Sequence, residues 1–225
     1  MFFNLARCSG NLEKIIYFGS GAEYGKHRDL RKVKETEFDV SCAPKDEYGF
    51  YKYICSKYAE KSDKTINLRL FGAFGKHENY ECRFISNAIL KNQLGLPITI
   101  NQNVTFDYLY IKDLVGIVEY FLKTTCKYKT YNVTPDKSID LIQIAEIINR
   151  ISPQKSEIVV LNKGMNYEYT GDNSRLKGEI DGLRFTSYED SIKELFDYYS
   201  HAIGRIDKSR IMEDPYLSKC KAKKC

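Results

Sequence analysis

Apolar positions fall into short runs that alternate with amphipathic stretches. Residues 3–11 read as the end of a helix. Lys14-Ile-Ile-Tyr-Phe-Gly19 is a brief apolar run closed by glycine, the pattern of a buried parallel strand. Ser20 to Gly25 reads as a loop off its carboxyl end, and residues 26–45 are charged and irregular, with Pro44 stopping any helix. Asp46 predicts the cap of a helix running to about Lys61, with Tyr51, Ile54, Cys55 and Tyr58 as one apolar stripe at i, i+3, i+4, i+7. Thr65 to Phe71 predicts a second strand, and Gly72 and Gly75 bracket the loop after it. Helical patterns follow at 84–94, 113–123, 141–151 and 188–199, with Ser138 or Asp140 capping the third and Asp172 capping a shorter one. Strand patterns fall at 97–100, 106–111, 131–133 and 158–161. Strands alternating with helices predict an α/β fold with a parallel sheet.

The composition keeps this picture within ordinary globular limits. The chain has 225 residues, 43% hydrophobic and 29% charged, which excludes general disorder, collagen and a pure coiled coil. No stretch approaches the ~20 apolar residues of a spanning helix, and the first residues do not form a secretory signal. Neither a membrane partner nor export is expected. Net charge is +5, much of it from Lys219, Lys221, Lys223 and Lys224, which read as a solvated tail rather than a nucleic-acid-binding face. Seven cysteines without a C-x-x-C pair and three histidines outside metal spacing argue against a metal site. The odd cysteine count points to a reducing cytoplasmic setting.

Chemistry enters with Tyr48-Gly-Phe-Tyr-Lys52. The i, i+4 spacing puts a phenol and an ammonium on one side of a helix, and a cation beside a phenol stabilises its phenolate. Such a pair passes a proton to or from an alcohol or carbonyl oxygen, while a hydroxyl from a neighbouring loop holds that oxygen in place. Spacing alone is a weak signal. With 18 tyrosines and 25 lysines, chance supplies about two such pairs, and the chain holds three: Tyr48/Lys52, Tyr53/Lys57 and Tyr108/Lys112. Context favours the first. It follows Ile16-Tyr-Phe-Gly-Ser20-Gly-Ala-Glu-Tyr24-Gly25 and precedes Leu68-Arg-Leu-Phe-Gly-Ala-Phe-Gly75 and Phe106-Asp-Tyr-Leu-Tyr-Ile-Lys-Asp113.

In this order the motifs resemble those of the extended short-chain dehydrogenase/reductases, the NAD-dependent epimerase/dehydratase family acting on nucleotide sugars. That family reads S-S-x-x-x-Y-G, then Y-x-x-x-K, L-R-x-F-N-x-x-G and R-D-x-x-x-V-x-D. Tyr131-Asn-Val and Asp172-Asn-Ser-Arg-Leu fit its later segments, so the resemblance spans residues 3–200. It implies a partial Rossmann-like parallel sheet with a small C-terminal substrate-binding lobe. The expected divisions are 1–134, with 76–105 joining the lobe, then 135–205, then a disordered basic tail at 206–225. By resemblance, Ser20 orients the substrate oxygen, Tyr48 is the acid/base, and Lys52 holds the ribose of NAD or NADP. Phe71, Gly72 and Ala73 lie near the nicotinamide. The substrate is a nucleotide sugar, and a homodimer through the tyrosine helix is expected by analogy.

Departures from the family pattern narrow the reading. No G-x-x-G-x-x-G turn for a pyrophosphate is present, and Met1 falls inside the helix that precedes the serine strand in the family. An amino-terminally truncated member, with poor cofactor affinity, is therefore expected. Gly72 stands in place of asparagine and Phe106 in place of arginine, so Arg83, Asn87 and Lys91 become candidates for diphosphate binding, or are ordinary surface residues. The sugar 4,6-dehydratases carry an acid pair where Gly21 and Ala22 stand, and Glu23 lies one place off as a surface residue. His77, in Gly75-Lys-His77-Glu-Asn, is either a second proton-transfer group or an exposed loop histidine. The function implied is epimerisation or 4-keto reduction of a nucleotide sugar. The alternative is an inactive fragment or the partner-binding half of a split enzyme.

Overall fold

A computed structural model describes residues 1–38 and 43–220. In chain order the strands are β1 (Ile15–Ser20), β2 (Leu30–Val33), β3 (Thr65–Leu70), β4 (Gly72–Phe74), β5 (Ile98–Asn103), β6 (Thr105–Phe106), β7 (Tyr108–Tyr110), β8 (Thr130–Val133), β9 (Ile139–Asp140), β10 (Ile158–Met165) and β11 (Tyr169–Gly171). The helices are α1 (Phe2–Arg7), α2 (Glu47–Lys61), α3 (Phe84–Gln93), α4 (Ile111–Lys123), α5 (Leu141–Ile151), α6 (Ser174–Glu179), α7 (Tyr188–Ala202), α8 (Lys208–Met212) and α9 (Pro215–Lys219). The chain forms two compact units. The first gathers Met1–Ala73, Phe106–Ser138 and Tyr167–Phe185; the second gathers Phe74–Thr105, Ile139–Asn166 and the chain from Thr186 onward.

The first unit is the expected Rossmann-like α/β layer. Its sheet runs β1-β3-β8, all parallel, with Ile15 opposite Thr65 and Asn67 opposite Thr130. Parallel neighbours need crossovers, and α2 and α4 lie in the chain between the paired strands. Alternation along β3 divides its side chains between two faces. Ile66 and Leu68 join Tyr131, Val133 and the α4 residues Leu114, Ile117 and Phe121 in one apolar cluster. Lys14 caps the end of α4 by donating to the Phe121 and Thr124 carbonyls at 2.6 and 2.7 Å.

The other face of β3 is polar and equally buried. Arg69 uses all three guanidinium nitrogens: Nε donates to Glu23 Oε2 at 2.6 Å, Nη1 to the Tyr24 hydroxyl at 2.8 Å, and Nη2 to Ser56 Oγ at 2.9 Å. Tyr24 passes its own hydrogen to Asn132 Oδ1, and Asn132 N–H donates to Glu35 Oε1. The Glu23 and Arg69 side chains are 0% and 1% exposed. Reading Glu23 as a surface residue is thus corrected: a carboxylate one place off the dehydratase acid pair is the counter-ion of a buried arginine.

Four further expectations change. Residues 30–33, read as irregular, form β2 because Leu30 and Val33 pair with Tyr169 and Gly171 of β11. That pairing also draws 167–185 into the first unit rather than the expected C-terminal lobe. The stripe predicted on α2 divides: Cys55 is buried as expected, but Tyr51, Ile54 and Tyr58 are 45%, 40% and 40% exposed, and Gly49, Tyr53, Ser56 and Ala59 are buried beside Cys55. On that face Ser56 accepts from Arg69 Nη2, while Tyr53 packs on the Phe38 ring. Finally, residues 208–212 and 215–219 of the expected tail are helical. Cys42, Lys221, Lys223, Lys224 and Cys225 lie outside the described residues.

The second unit pairs β5 with β10 in parallel and packs α3, α5 and α7 together. Asn92 latches α3 by donating to Asn149 Oδ1, the Gln154 carbonyl and Ser156 Oγ. Lys91, a candidate for diphosphate, is buried and spends its ammonium on Asp214 Oδ2 at 2.5 Å and on Thr99.

Removing one partner of a buried ion pair leaves an uncompensated charge, so Glu23→Ala should cost about 3–5 kcal/mol of unfolding free energy in urea titration. Lys193→Ala, which breaks the exposed pair with Asp197, should leave the midpoint unmoved.

Candidate active site

Ser20 ends β1, where the chain leaves the carboxyl edge of the sheet and turns through a 3-10 segment, Gly21–Tyr24. Its position is held from both sides. Ser20 N–H donates to Glu23 Oε1 at 2.8 Å, and Ser20 Oγ accepts from Ala22 N–H at 3.2 Å. This reciprocal arrangement is a capping box, and its carboxylate is the one that Arg69 grips. The sheet interior therefore fixes the serine turn.

Tyr48 lies in the first turn of α2, whose Asp46 side chain accepts from Gly49 N–H at 2.8 Å. A Cβ on Gly49 would stand 2.8 Å from Pro44 Cβ and 2.9 Å from the Ala22 carbonyl oxygen. Glycine beside Tyr48 is what lets the helix start abut the serine turn. Tyr48 is 54% exposed and has two ammonium groups near its ring, Lys52 Nζ at 5.8 Å and Lys26 Nζ at 6.0 Å from its centroid. Lys52 Nζ donates to the Phe18 carbonyl at 2.6 Å, which anchors it to β1. Ser20, Tyr48 and Lys52 thus sit on abutting elements of one unit. The rival pair is placed otherwise: Tyr53 is buried, and Lys57 Nζ lies 4.4 Å over the Phe38 ring.

Two groups at this site escaped the sequence reading. Tyr169, on β11, brings its hydroxyl to 3.4 Å from Ser20 Oγ, and Lys26 Nζ lies 4.5 Å from the Tyr169 ring centroid. Lys26 directly follows the Tyr24-Gly25 motif, which could have flagged it. No spacing rule links Tyr169 to a serine 149 positions away.

Phe71 is buried in an aromatic cluster with Tyr24, Tyr169, Leu30 and Val33, its ring 5.0 Å from that of Tyr169. Gly72 and Ala73 are half-buried in β4. Asp107 is fully buried and accepts from Ser138 Oγ, Gly171 N–H and Lys32 Nζ at 2.6, 2.8 and 3.2 Å. Burial raises its carboxyl above the usual range despite those donors.

The remaining sequence candidates belong to the second unit. His77 is exposed, adopts a left-handed backbone with φ of 68°, and places Nδ1 3.4 Å from the Tyr198 hydroxyl. Arg83 is the exposed N-cap residue of α3. Asn87 is 2% exposed, and its Nδ2 has no hydrogen-bond partner among the described residues. Glu78 accepts from Ser86 Oγ at 2.5 Å, and the Tyr199 hydroxyl donates to the same serine oxygen. Burial pushes the Glu78 carboxyl up to about 7. Among the described residues no group of three or more His, Cys, Asp or Glu side chains could hold a metal ion, and no helix is long and apolar enough to cross a membrane.

Helix propensity alone would make Gly49→Ala stabilising by about 1 kcal/mol. The backbone oxygen and proline in its way should instead give a net loss of about 1–3 kcal/mol, visible as a lower thermal midpoint. For Glu78, the folded value above the ordinary 4.5 means that the folded chain keeps a proton that the unfolded chain releases. Its contribution is full below about 4.5 and lost as pH rises through about 7. Urea midpoints should fall across that window, and Glu78→Gln should flatten the fall.

Comparison with known proteins agrees with this architecture. The family model described as NAD dependent epimerase/dehydratase family matches residues 3–134. An Escherichia coli dTDP-4-dehydro-6-deoxyglucose reductase is 28% identical over 148 residues, 60% of this chain and 45% of that protein. An uncharacterized protein of Methanocaldococcus jannaschii is 24% identical over 155 residues, covering 65% and 46%. The chain thus spans about half the length of these curated relatives. UDP-glucose 4-epimerase of Thermotoga maritima, solved with UDP-glucose, superposes with a TM-score of 0.76 at 18% identity, covering 90% of this chain and 69% of that one. With more than half of its residues matched by the family model, and with the parallel β1-β3-β8 layer carrying Ser20 and Tyr48 in the family's order, the chain belongs to the NAD-dependent epimerase/dehydratase family.

Proposed function

We propose that this chain carries the proton-transfer part of a nucleotide-sugar epimerase or 4-keto reductase site. One observation carries the reading: an exposed Tyr48 with two ammonium groups near its ring, on a helix start packed against the Ser20 turn. Ser20 orients the sugar oxygen by a hydrogen bond. Tyr48 gives its phenolic proton to that oxygen as a carbonyl becomes an alcohol, or takes it in reverse, and the nearby cations stabilise the phenolate left behind. Nicotinamide supplies or accepts the hydride when the cofactor is bound. The exposed phenol of Tyr48 and the half-buried ammonium of Lys52 fit the nicotinamide-ribose end of NAD or NADP, and the sequence offers no glycine-rich turn for the pyrophosphate. Solved family members contain NAD, including a dTDP-glucose 4,6-dehydratase of Bacillus anthracis. The outward stripe of Tyr51, Ile54 and Tyr58 supports a homodimer through α2.

A second reading, the partner-binding half of a split enzyme, is favoured by β1. It ends its sheet among the described residues and leaves Phe18 43% exposed. Turnover by the chain alone would exclude it.

The test follows nicotinamide absorbance with the purified chain, NADH or NADPH, and dTDP-4-dehydro-6-deoxyglucose. Tyr48→Phe should lower turnover by about 10²-fold or more. An unchanged rate in that variant refutes the assignment.

A further inference from the structure

Ser20 Oγ and the Tyr169 hydroxyl lie 3.4 Å apart, and each oxygen can donate or accept. A serine oxygen has one hydrogen and two lone pairs. One lone pair accepts from Ala22 N–H at 3.2 Å. Tyr169 is 4% exposed, and among the described residues Ser20 Oγ is the hydrogen-bond partner of its hydroxyl. A buried phenol that pointed its hydrogen elsewhere would leave it unsatisfied. With Tyr169 as the donor, both serine lone pairs are engaged and the serine's own hydrogen is the one left for a substrate oxygen.

We propose that Tyr169 is a positioning residue that donates to Ser20 Oγ and so obliges Ser20 to present its hydrogen to the substrate oxygen. This inference rests on the nucleotide-sugar reading above for the identity of that oxygen.

Two observations support it. A Cβ on Gly21 would come within 2.8 Å of the Tyr169 oxygen and 2.6 Å of the Phe71 ring, so the missing side chain is the space that the hydroxyl fills. Burial also holds the Tyr169 hydroxyl well above the usual phenol range, which keeps it protonated and able to donate. The separation is long for a formed bond, and such contacts tighten in a reacting complex. The ring itself is held by Phe71 at 5.0 Å and Phe106 at 5.4 Å, so Tyr169→Phe removes the hydroxyl and keeps the packing.

The experiment has two readouts on the full chain. Tyrosine labelled with ¹³C at Cζ reports on the hydroxyl by NMR: Ser20→Ala should move the Tyr169 resonance, and an unmoved resonance overturns the proposal. Calorimetry with UDP-glucose and dTDP-glucose reads the consequence. Tyr169→Phe should weaken binding of the sugar nucleotide about tenfold in the native background and leave it unchanged in the Ser20→Ala background. Equal losses in both backgrounds overturn the proposal, because Tyr169 would then act without Ser20. If the native chain binds neither nucleotide, the nucleotide-sugar reading fails, and the NMR measurement still decides the hydroxyl pair.

Discussion

A guanidinium sealed inside a sheet layer must have every donor answered, and Arg69 meets that demand in a way that reaches the Ser20 turn. Its Nε holds Glu23, Glu23 holds the backbone of Ser20, and its remaining nitrogens hold Tyr24 and Ser56. A buried pair of this kind adds little net stability compared with apolar packing. What it supplies here is position, since the same carboxylate that neutralises the arginine closes the turn from which the serine hydroxyl projects.

That constraint explains the unusual dress of α2. Where α2 lies over this network it turns in Ser56, which accepts from Arg69, with Gly49, Tyr53 and Ala59 also buried and Tyr51, Ile54 and Tyr58 outside. The same closeness brings Tyr48 beside the serine turn, where Gly49 admits the Ala22 carbonyl. The Arg69 network, the Ser20 turn and the placement of Tyr48 beside it thus belong to one packed region. Tyr169 extends the pattern: a fourth polar group comes in from β11 over the space that Gly21 leaves open.

Local physics was legible in the chain itself. Asp46 as a cap, the apolar run of β1, the alternation in β3 and the amphipathic α4, α5 and α7 follow from periodicity and capping, which depend on neighbours within a few positions. The ordered motifs around Ser20, Tyr48 and Arg69 likewise fall at the end of β1, on α2 and on β3. The strand at 30–33 stayed hidden because its four residues gain their pairing from β11, far along the chain. Glu23 passed for a surface residue because nothing nearby in sequence reveals a counter-ion 46 positions away. Short-range patterns along the chain set which segments coil, which extend and where a phenol and an amine share a helix face. The tertiary structure alone decided which carboxylate enters the core, which face of α2 is covered and that Tyr169 meets Ser20, because burial and charge compensation belong to groups that only folding brings within a few ångströms.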